Sequence, residues 1–394
     1  MNREKVLEKI KGAAALVLIA ALCRTQIFAA EPVPAPAPAV QGQQTAEGMT
    51  ENGTAVMTVE DAVKRAKANS PDLREVQEYS EFLQATKEDL WDKVGYFDNI
   101  NYDYKKWVND GWYMVTSAAH QTESGMAQTK LNQQMAELAV EATVRSYFTS
   151  ILSDQNTLEL AEQTLSVQQT LYNQGKRKYE LGFLSKYKLD QLEVQVQKAQ
   201  NSVALLQNTL EQEYVKFNDL IGAEPAERFA FVYEVNYAPY VMEDTMEHYI
   251  TKQLHSDITI KMKELALDNA KFNMNYLPES SDGSKDKQNK LNYDQANRAL
   301  KTAKEEKALA IRSGLLQLQQ LETAYASSQI DLEKAKKDLH VAEVNLKAGN
   351  TTRVTVEQAK LGVAKIENDM KQLEYQHDMQ IFAFEHSSLL GAAK

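Results

Sequence analysis

The sequence predicts an all-α chain, mainly two tandem repeats of long coiled-coil helical hairpins, with little β structure. Three observations carry this: a 3-4 apolar spacing held over long runs, a glycine that interrupts each run, and the recurrence of the same signals in both halves. Before Gly182 the apolar seam reads Val140, Val144, Tyr147, Ile151, Leu158, Ala161, Leu165 and Tyr172; after it come Leu189, Leu192, Val196, Ala199, Val203, Leu206, Leu210 and Phe217. Before Gly349 it reads Leu318, Leu321, Tyr325, Leu332, Ala335, Leu339, Ala342 and Leu346, and after it Val356, Ala359, Val363, Ile366, Met370, Leu373 and Phe384. A strict 3-4 repeat winds helices into a left-handed coiled coil. Glycine takes the left-handed conformation that ends a helix, so each glycine is where one helix stops and its partner begins. Thr355 with Gln358 fits a capping box for the last helix.

The N-terminal end is basic (Arg3, Lys5, Lys9, Lys11), then apolar from Gly12 to Leu22, and Ile27-Phe28-Ala29 suits cleavage after Ala29. The apolar run is shorter than the roughly 20 residues of a spanning helix, so residues 1–29 read as a secretory signal peptide. Cys23 is read either as a lipid anchor or as a residue discarded with the signal; bulky Leu22 before it favours the second. The mature chain then has no cysteine, hence no disulfide and no thiolate metal site. Removing residues 1–29 removes five cations (Arg3, Lys5, Lys9, Lys11, Arg24) and two acids (Glu4, Glu8), a net +3, and takes the charge from −11 to −14. Such acidity argues against nucleic acid or an anionic membrane surface as partner.

Residues 30–57 are Pro- and Ala-rich, with Pro32, Pro34, Pro36 and Pro38 alternating, and read as a flexible tether. Thr58-Val59-Glu60-Asp61 supplies a hydroxyl cap and two acids for a helix N-terminus; that helix runs to Asn69, and Pro71 starts another to about Lys93. Residues 95–125 are less regular, with Tyr96, Phe97, Tyr102, Tyr104, Trp107, Trp112 and Tyr113 making an aromatic patch. Its rings are read as a membrane-interface girdle or as a small packed core, the second preferred. The first hairpin closes at Leu220-Ile221-Gly222, and a connector (223–244) follows, with one strand over Phe229–Val235. The order then recurs. Thr245-Met246-Glu247 echoes Thr58-Val59-Glu60, Ser256-Asp257-Ile258 echoes Pro71-Asp72-Leu73, and Leu389-Leu390-Gly391 echoes Leu220-Ile221-Gly222. The repeats are assigned to 58–222 and 245–394, with a polar loop at 276–292 in place of the aromatic patch.

These residues resemble the TolC-like outer-membrane efflux family. The resemblance lies in Thr-Val-Glu-Asp-Ala-Val from Thr58, Asn69-Ser70-Pro71-Asp72-Leu73, the turn Tyr179-Glu180-Leu181-Gly182-Phe183-Leu184-Ser185, and the Leu-Ile-Gly and Leu-Leu-Gly endings. It implies an α-barrel-type tube of three copies, a homotrimer, that passively conducts exported solutes in the outer membrane and periplasm. It also implies hairpin tips that dock on a periplasmic adaptor (membrane fusion) protein joined to a cytoplasmic-membrane transporter. The implied docking residues are Leu181, Gly182, Phe183, Leu184, Ser185, Ala348, Gly349, Asn350, Thr351 and Thr352. Two departures follow. Membrane strands need about 9–11 residues and two per repeat, which 95–125 barely supplies and the polar loop does not, so no complete β-barrel is expected. Family gate acids six and nine positions after the second turn glycine are replaced by Thr355 and Gln358. The nearest acids, Asp190 and Glu357, are read as pore-lining or, more commonly for a coiled-coil flank, as solvated charges.

No enzyme motif is present, and no cofactor or metal is expected: His248 and His255, seven apart, lack zinc-ligand spacing, and neither turn glycine sits in a phosphate loop. Two other classes compete with the duct. An exported coiled-coil stalk of the cell envelope without channel activity needs no duplicated hairpin, and an adaptor needs β-rich modules that are missing here.

Overall fold

The computed structural model describes residues 55–98, 105–276 and 284–391, with side chains between 94 and 114 outside that description. Strand β1 (Ala55–Thr58) is followed by helices α1 (Val59–Asn69), α2 (Pro71–Asp98), α3 (Lys105–Glu180) and α4 (Lys186–Ile221). Strand β2 (Phe229–Val232) then precedes α5 (Met246–Ser256), α6 (Ile258–Tyr276), α7 (Ser284–Lys347) and α8 (Arg353–Glu385), and a 3-10 turn at Ser387–Leu389. The same series of two short and two long helices therefore occurs twice.

Local chemistry starts and stops these helices. Thr58 accepts from the Asp61 N–H (3.2 Å) at the head of α1, and Thr245 from His248 at the head of α5 (3.4 Å). Twelve residues on in each repeat a second cap starts the next helix: Ser70 Oγ accepts from Leu73 and Asp257 Oδ1 from Ile260. Ser70 thus matches Asp257, and the pairing of Ser256-Asp257-Ile258 with Pro71-Asp72-Leu73 is corrected by two residues. Gly222 ends α4 at φ 68°, and Gly391 follows the 3-10 turn at φ 78°.

The described residues divide into two compact units, one holding 85–98 and 105–123, the other 55–84, 124–276 and 284–391. In the described part of the first, Leu90, Val115 and Ala119 form a small core, and Lys87 pairs with Glu123 at 3.2 Å. The expectation of irregular backbone at 95–125 is corrected: helix runs to Asp98 and resumes at Lys105. The rings of Trp107, Trp112 and Tyr113 lie outside the described residues. The polar loop is shorter than expected too, since Ser284–Asn292 is helical; Asp286 in the first turn of α7 favours that N-terminus. Pro278 to Gly283 lie outside the described residues.

In the second unit β1 and β2 pair in parallel, Ala55 opposite Phe229 and Thr58 opposite Val232. The tether therefore ends before Ala55, and the connector strand is four residues rather than seven. Phe148, Phe217 and Ile151 form the core of the first repeat with Met57 and Phe229, and Ile311, Leu318 and Phe384 that of the second. Phe231 packs edge-on against Phe148 (4.7 Å between centroids) and Phe217 (5.2 Å), which holds the strand pair on the long helices.

The two repeats close differently at one position. Val140 stands 42 residues before Gly182 and Lys307 stands 42 before Gly349 (182 − 140 = 349 − 307). Val140 packs against the first core. Lys307 is buried, donates to the carbonyls of Ser387 and Leu390 (2.8 Å each), and lies 3.4 Å from Asp257. Asp257 also accepts from Ser387 Oγ at 2.7 Å. Burial alone raises the Asp257 pKa; hydrogen bonds from Thr259 and Ser387 and the Lys307 ammonium outweigh it and hold the carboxyl below its ordinary value.

Candidate docking and conduction surfaces

Each long hairpin turns on a Schellman motif. Gly182 N–H donates to Tyr179 O and Phe183 N–H to Lys178 O; Gly349 and Asn350 do the same to Leu346 and Asn345, all between 2.8 and 3.0 Å. The glycines sit at φ 78° and 76° with open space where a Cβ would stand, so substitution meets backbone strain and no clash. Gly182→Ala is expected to cost about 1–2 kcal/mol in denaturant unfolding, the penalty of a left-handed backbone with a side chain, and Gly349→Ala the same. Ser185 caps α4 by accepting from the Lys188 N–H. At the second tip the cap is Thr352 and not Thr355, because α8 begins at Arg353; Thr352 Oγ1 lies 3.1 Å from Thr355 Oγ1 and the capping box does not form.

The tips differ in chemistry. Leu181 is 70 % exposed and Phe183 80 %, with exposed Tyr187 beside them, and Lys176, Arg177, Lys178, Lys186 and Lys188 surround them against one acid, Glu180. Asn350 and Thr352 are exposed and Thr351 half-buried, so the second tip offers amide and hydroxyl groups.

Behind the tips the four long helices lie in the order α4, α3, α8, α7. Gln155 on α3 donates to the Tyr214 hydroxyl on α4 (2.7 Å), Asn368 and Gln372 on α8 donate to Thr157 on α3 (3.3 Å each), and Tyr325 on α7 donates to Glu374 on α8 (2.9 Å). Along α8 the residues Val356, Val363, Met370, His377 and Phe384 are all buried, an unbroken seven-residue row.

One side of this layer carries the connector. Tyr233 donates to Asp378, Tyr237 stacks on Tyr325 (3.8 Å, 26°), and the Tyr240 N–H donates to Glu322 (2.6 Å). Burial and then the bond to Glu374 push Tyr325 up to about 12, so it is a phenol that donates at any working pH. Heptad rows relate the two acids to residues that meet the connector. Glu357 belongs to the row of Asp378, which meets Tyr233, and also accepts from Lys360 (3.1 Å). Asp190, exposed, belongs to the row of Glu211 and Asn218, which bond Arg228 and the carbonyls of Glu224 and Glu227. Both acids therefore stand in rows that face the connector.

The other side opens on a cavity of about 800 Å³ between α3, α7 and α8. Glutamines line it: Gln317, Gln320, Gln372, Gln376 and Gln380, with Ser146, Ser150 and Ser153 from α3. Tyr375 reaches both sides, its ring stacked on Tyr233. None of this was singled out from the sequence. The signal was there in Gln372, Gln376 and Gln380, spaced by four on one helix face.

The flanking helices are partly covered, α4 by α1 through Asn69 and Asp219 and α7 by α6 through Lys304 and Glu264, and each carries exposed apolar residues elsewhere. On α7 Ile311, Leu318 and Tyr325 are buried, while Leu309, Leu316 and Ile330 are exposed at 65, 59 and 71 %. Each stands two residues before a seam position, about 200° round the helix, so α7 has a second apolar row opposite the first. On α4, beyond Tyr187 at the tip, the exposed large apolar residues are Val194, Leu205 and Val215.

Neither a protein-family model nor a curated protein matches this sequence. Solved structures do share its fold. The outer membrane protein VceC from Vibrio cholerae aligns at a TM-score of 0.59 and 11 % identity over 84 % of this chain and 96 % of its own. The CmeC outer membrane channel of Campylobacter jejuni aligns at 0.60 and 12 % identity, over 91 % of this chain and 95 % of its own. The open-state MtrE outer membrane channel of Neisseria gonorrhoeae gives 0.63 and 14 %, over 85 % of this chain and 90 % of its own. The chain thus has a TolC-like fold.

Proposed function

We propose, from this fold, that the chain is a subunit of a TolC-like duct in the cell envelope, a homotrimer that passively conducts exported solutes. The observation that carries the reading is the pair of partly open flanks. A helix that ends a layer and still bears an apolar row has that row covered by another chain, because exposed rows of this kind are costly in water. Two different flanks, α4 and α7, make the contact head-to-tail, and a head-to-tail contact that closes gives a ring. A stalk of isolated hairpins has no use for two unlike, partly open flanks.

In this reading the tips dock on a periplasmic adaptor served by a cytoplasmic-membrane transporter. Leu181, Phe183 and Leu184 supply apolar anchors at the first tip, Asn350, Thr351 and Thr352 supply polar contacts at the second, and Gly182, Gly349, Ser185 and Ala348 hold the turns. Asp190 and Glu357 are solvated charges on the connector side, and Thr355 and Gln358 take the rows that lead into the cavity. Signal-directed export accounts for the location.

Native mass measurement of the mature protein tests the proposal. Three copies are expected. A monomer or dimer with full helix content overturns the duct in favour of the stalk.

A further inference from the structure

We propose that the glutamine-lined cavity between α3, α7 and α8 is a contact site for small polar solutes that selects by hydrogen bonding and not by charge. The inference rests on the duct reading and names the solute class that this stretch of the wall accepts.

None of the thirteen lining residues is charged. One quarter of the chain is Asp, Glu, Lys or Arg, so a random thirteen would include about three, and open helix faces are richer in charge than the average. The neutral lining is therefore a property of this face and does not follow from composition. Some of its amides are already paired: Gln380 donates to Gln317 Oε1 (3.0 Å) and Gln372 to Thr157. Gln320 and Gln376 are exposed and make no intramolecular hydrogen bond among the described residues. Each offers a carbonyl acceptor and two N–H donors to whatever enters.

The nearest acids stand outside the cavity lining. Ser150, which lines it, donates to Glu213 at 2.6 Å on the α4 side. Burial and then the Glu213 charge raise the pKa of Asp154 beside it, which favours the neutral acid. Towards the tip the same helix rows continue through Gln358 and Thr355. Between them and the cavity stand Lys365 and Asp369, both exposed, four residues apart and opposite in sign. A solute in the cavity meets donors and acceptors of both kinds and no charged side chain in the lining.

The test is Gln376→Cys in a Cys23→Ser background of the full chain. Cationic, anionic and neutral methanethiosulfonate reagents are each timed against the cysteine and against a free thiol in solution. A unit charge about 4 Å away in water changes the local concentration of a monovalent reagent by about fivefold, so normalised rates agreeing within about threefold are the expected result. Gln320→Lys added to Gln376→Cys should slow the cationic reagent and speed the anionic one by more than that margin. Normalised rates that differ tenfold without the lysine, no modification at all, or no response to the lysine each overturn the inference. Native mass on the same sample separates it from the duct reading. A trimer with charge-selective rates keeps the duct and removes this inference, and a monomer removes both.

Discussion

Lys307→Ala is expected to destabilise the second repeat by about 3–5 kcal/mol, the cost of leaving a buried charge without its partner. The residue left behind is Asp257, whose side chain has no exposure while that of Lys307 has 9 %. The loss also frees the carbonyls of Ser387 and Leu390, which Lys307 satisfies. Opening should therefore begin where the 3-10 turn meets α7, and hydrogen exchange at Ser387 to Leu390 should rise before that of the first core.

The first repeat indicates the rescue, because Val140 and Ser70 hold the matching positions without an ion pair. Lys307→Val with Asp257→Ser is expected to recover most of the loss, since replacing both members of a buried pair leaves no orphan charge. If Lys307→Ala is neutral, or if the double variant is no better than the single one, the pair is not what closes this end. The pH dependence has a defined sign. Asp257 titrates below its ordinary value of 3.8 in the folded chain. Its contribution is full above that value and is lost as the pH falls below it through the depressed folded pKa. The double variant should lack this acid-sensitive component.

The second large effect is on assembly. Leu316→Glu with Ile330→Glu is expected to leave monomers at micromolar concentration in place of the proposed trimer, with unchanged helix content. Each of these side chains, once covered, contributes about 1.5–3 kcal/mol, and the substitutions also place two carboxylates in the same interface. A closed ring repeats the change at each contact. Because both residues are 59 % or more exposed on the single chain, its own fold should not suffer. Native mass and circular dichroism check the two halves of the prediction. A trimer that survives both substitutions would remove α7 from the subunit contact.

How far the sequence could be read depended on the range of the interaction. Gly182 and Gly349 were legible as turns because a left-handed helix end is a property of five or six neighbouring residues. Thr58, Thr245 and Gly222 were legible for the same reason. The cap at Thr352 was misassigned to Thr355 because two threonines three apart both satisfy the local pattern, and only the start of α8 at Arg353 chooses between them. The helices over 95–98, 105–125 and 284–292 were missed because aromatic and polar runs hide the 3-4 spacing. Lys307 gave no signal at all: a lysine reads as surface until Asp257, fifty residues earlier, is folded against it.

The sequence by itself determined that long helices pair in hairpins, where each hairpin turns, and that the plan occurs twice, because periodicity and end chemistry are written in adjacent residues. Tertiary structure alone decided which row of each helix meets which neighbour. Thr157 and Asn368, 211 positions apart, bring the repeats together. That contact makes α4 and α7 the outer helices of the four and gathers the glutamines into one cavity. A heptad fixes the angles between rows on one helix, but the direction in which those rows point is set by the helix packed beside it.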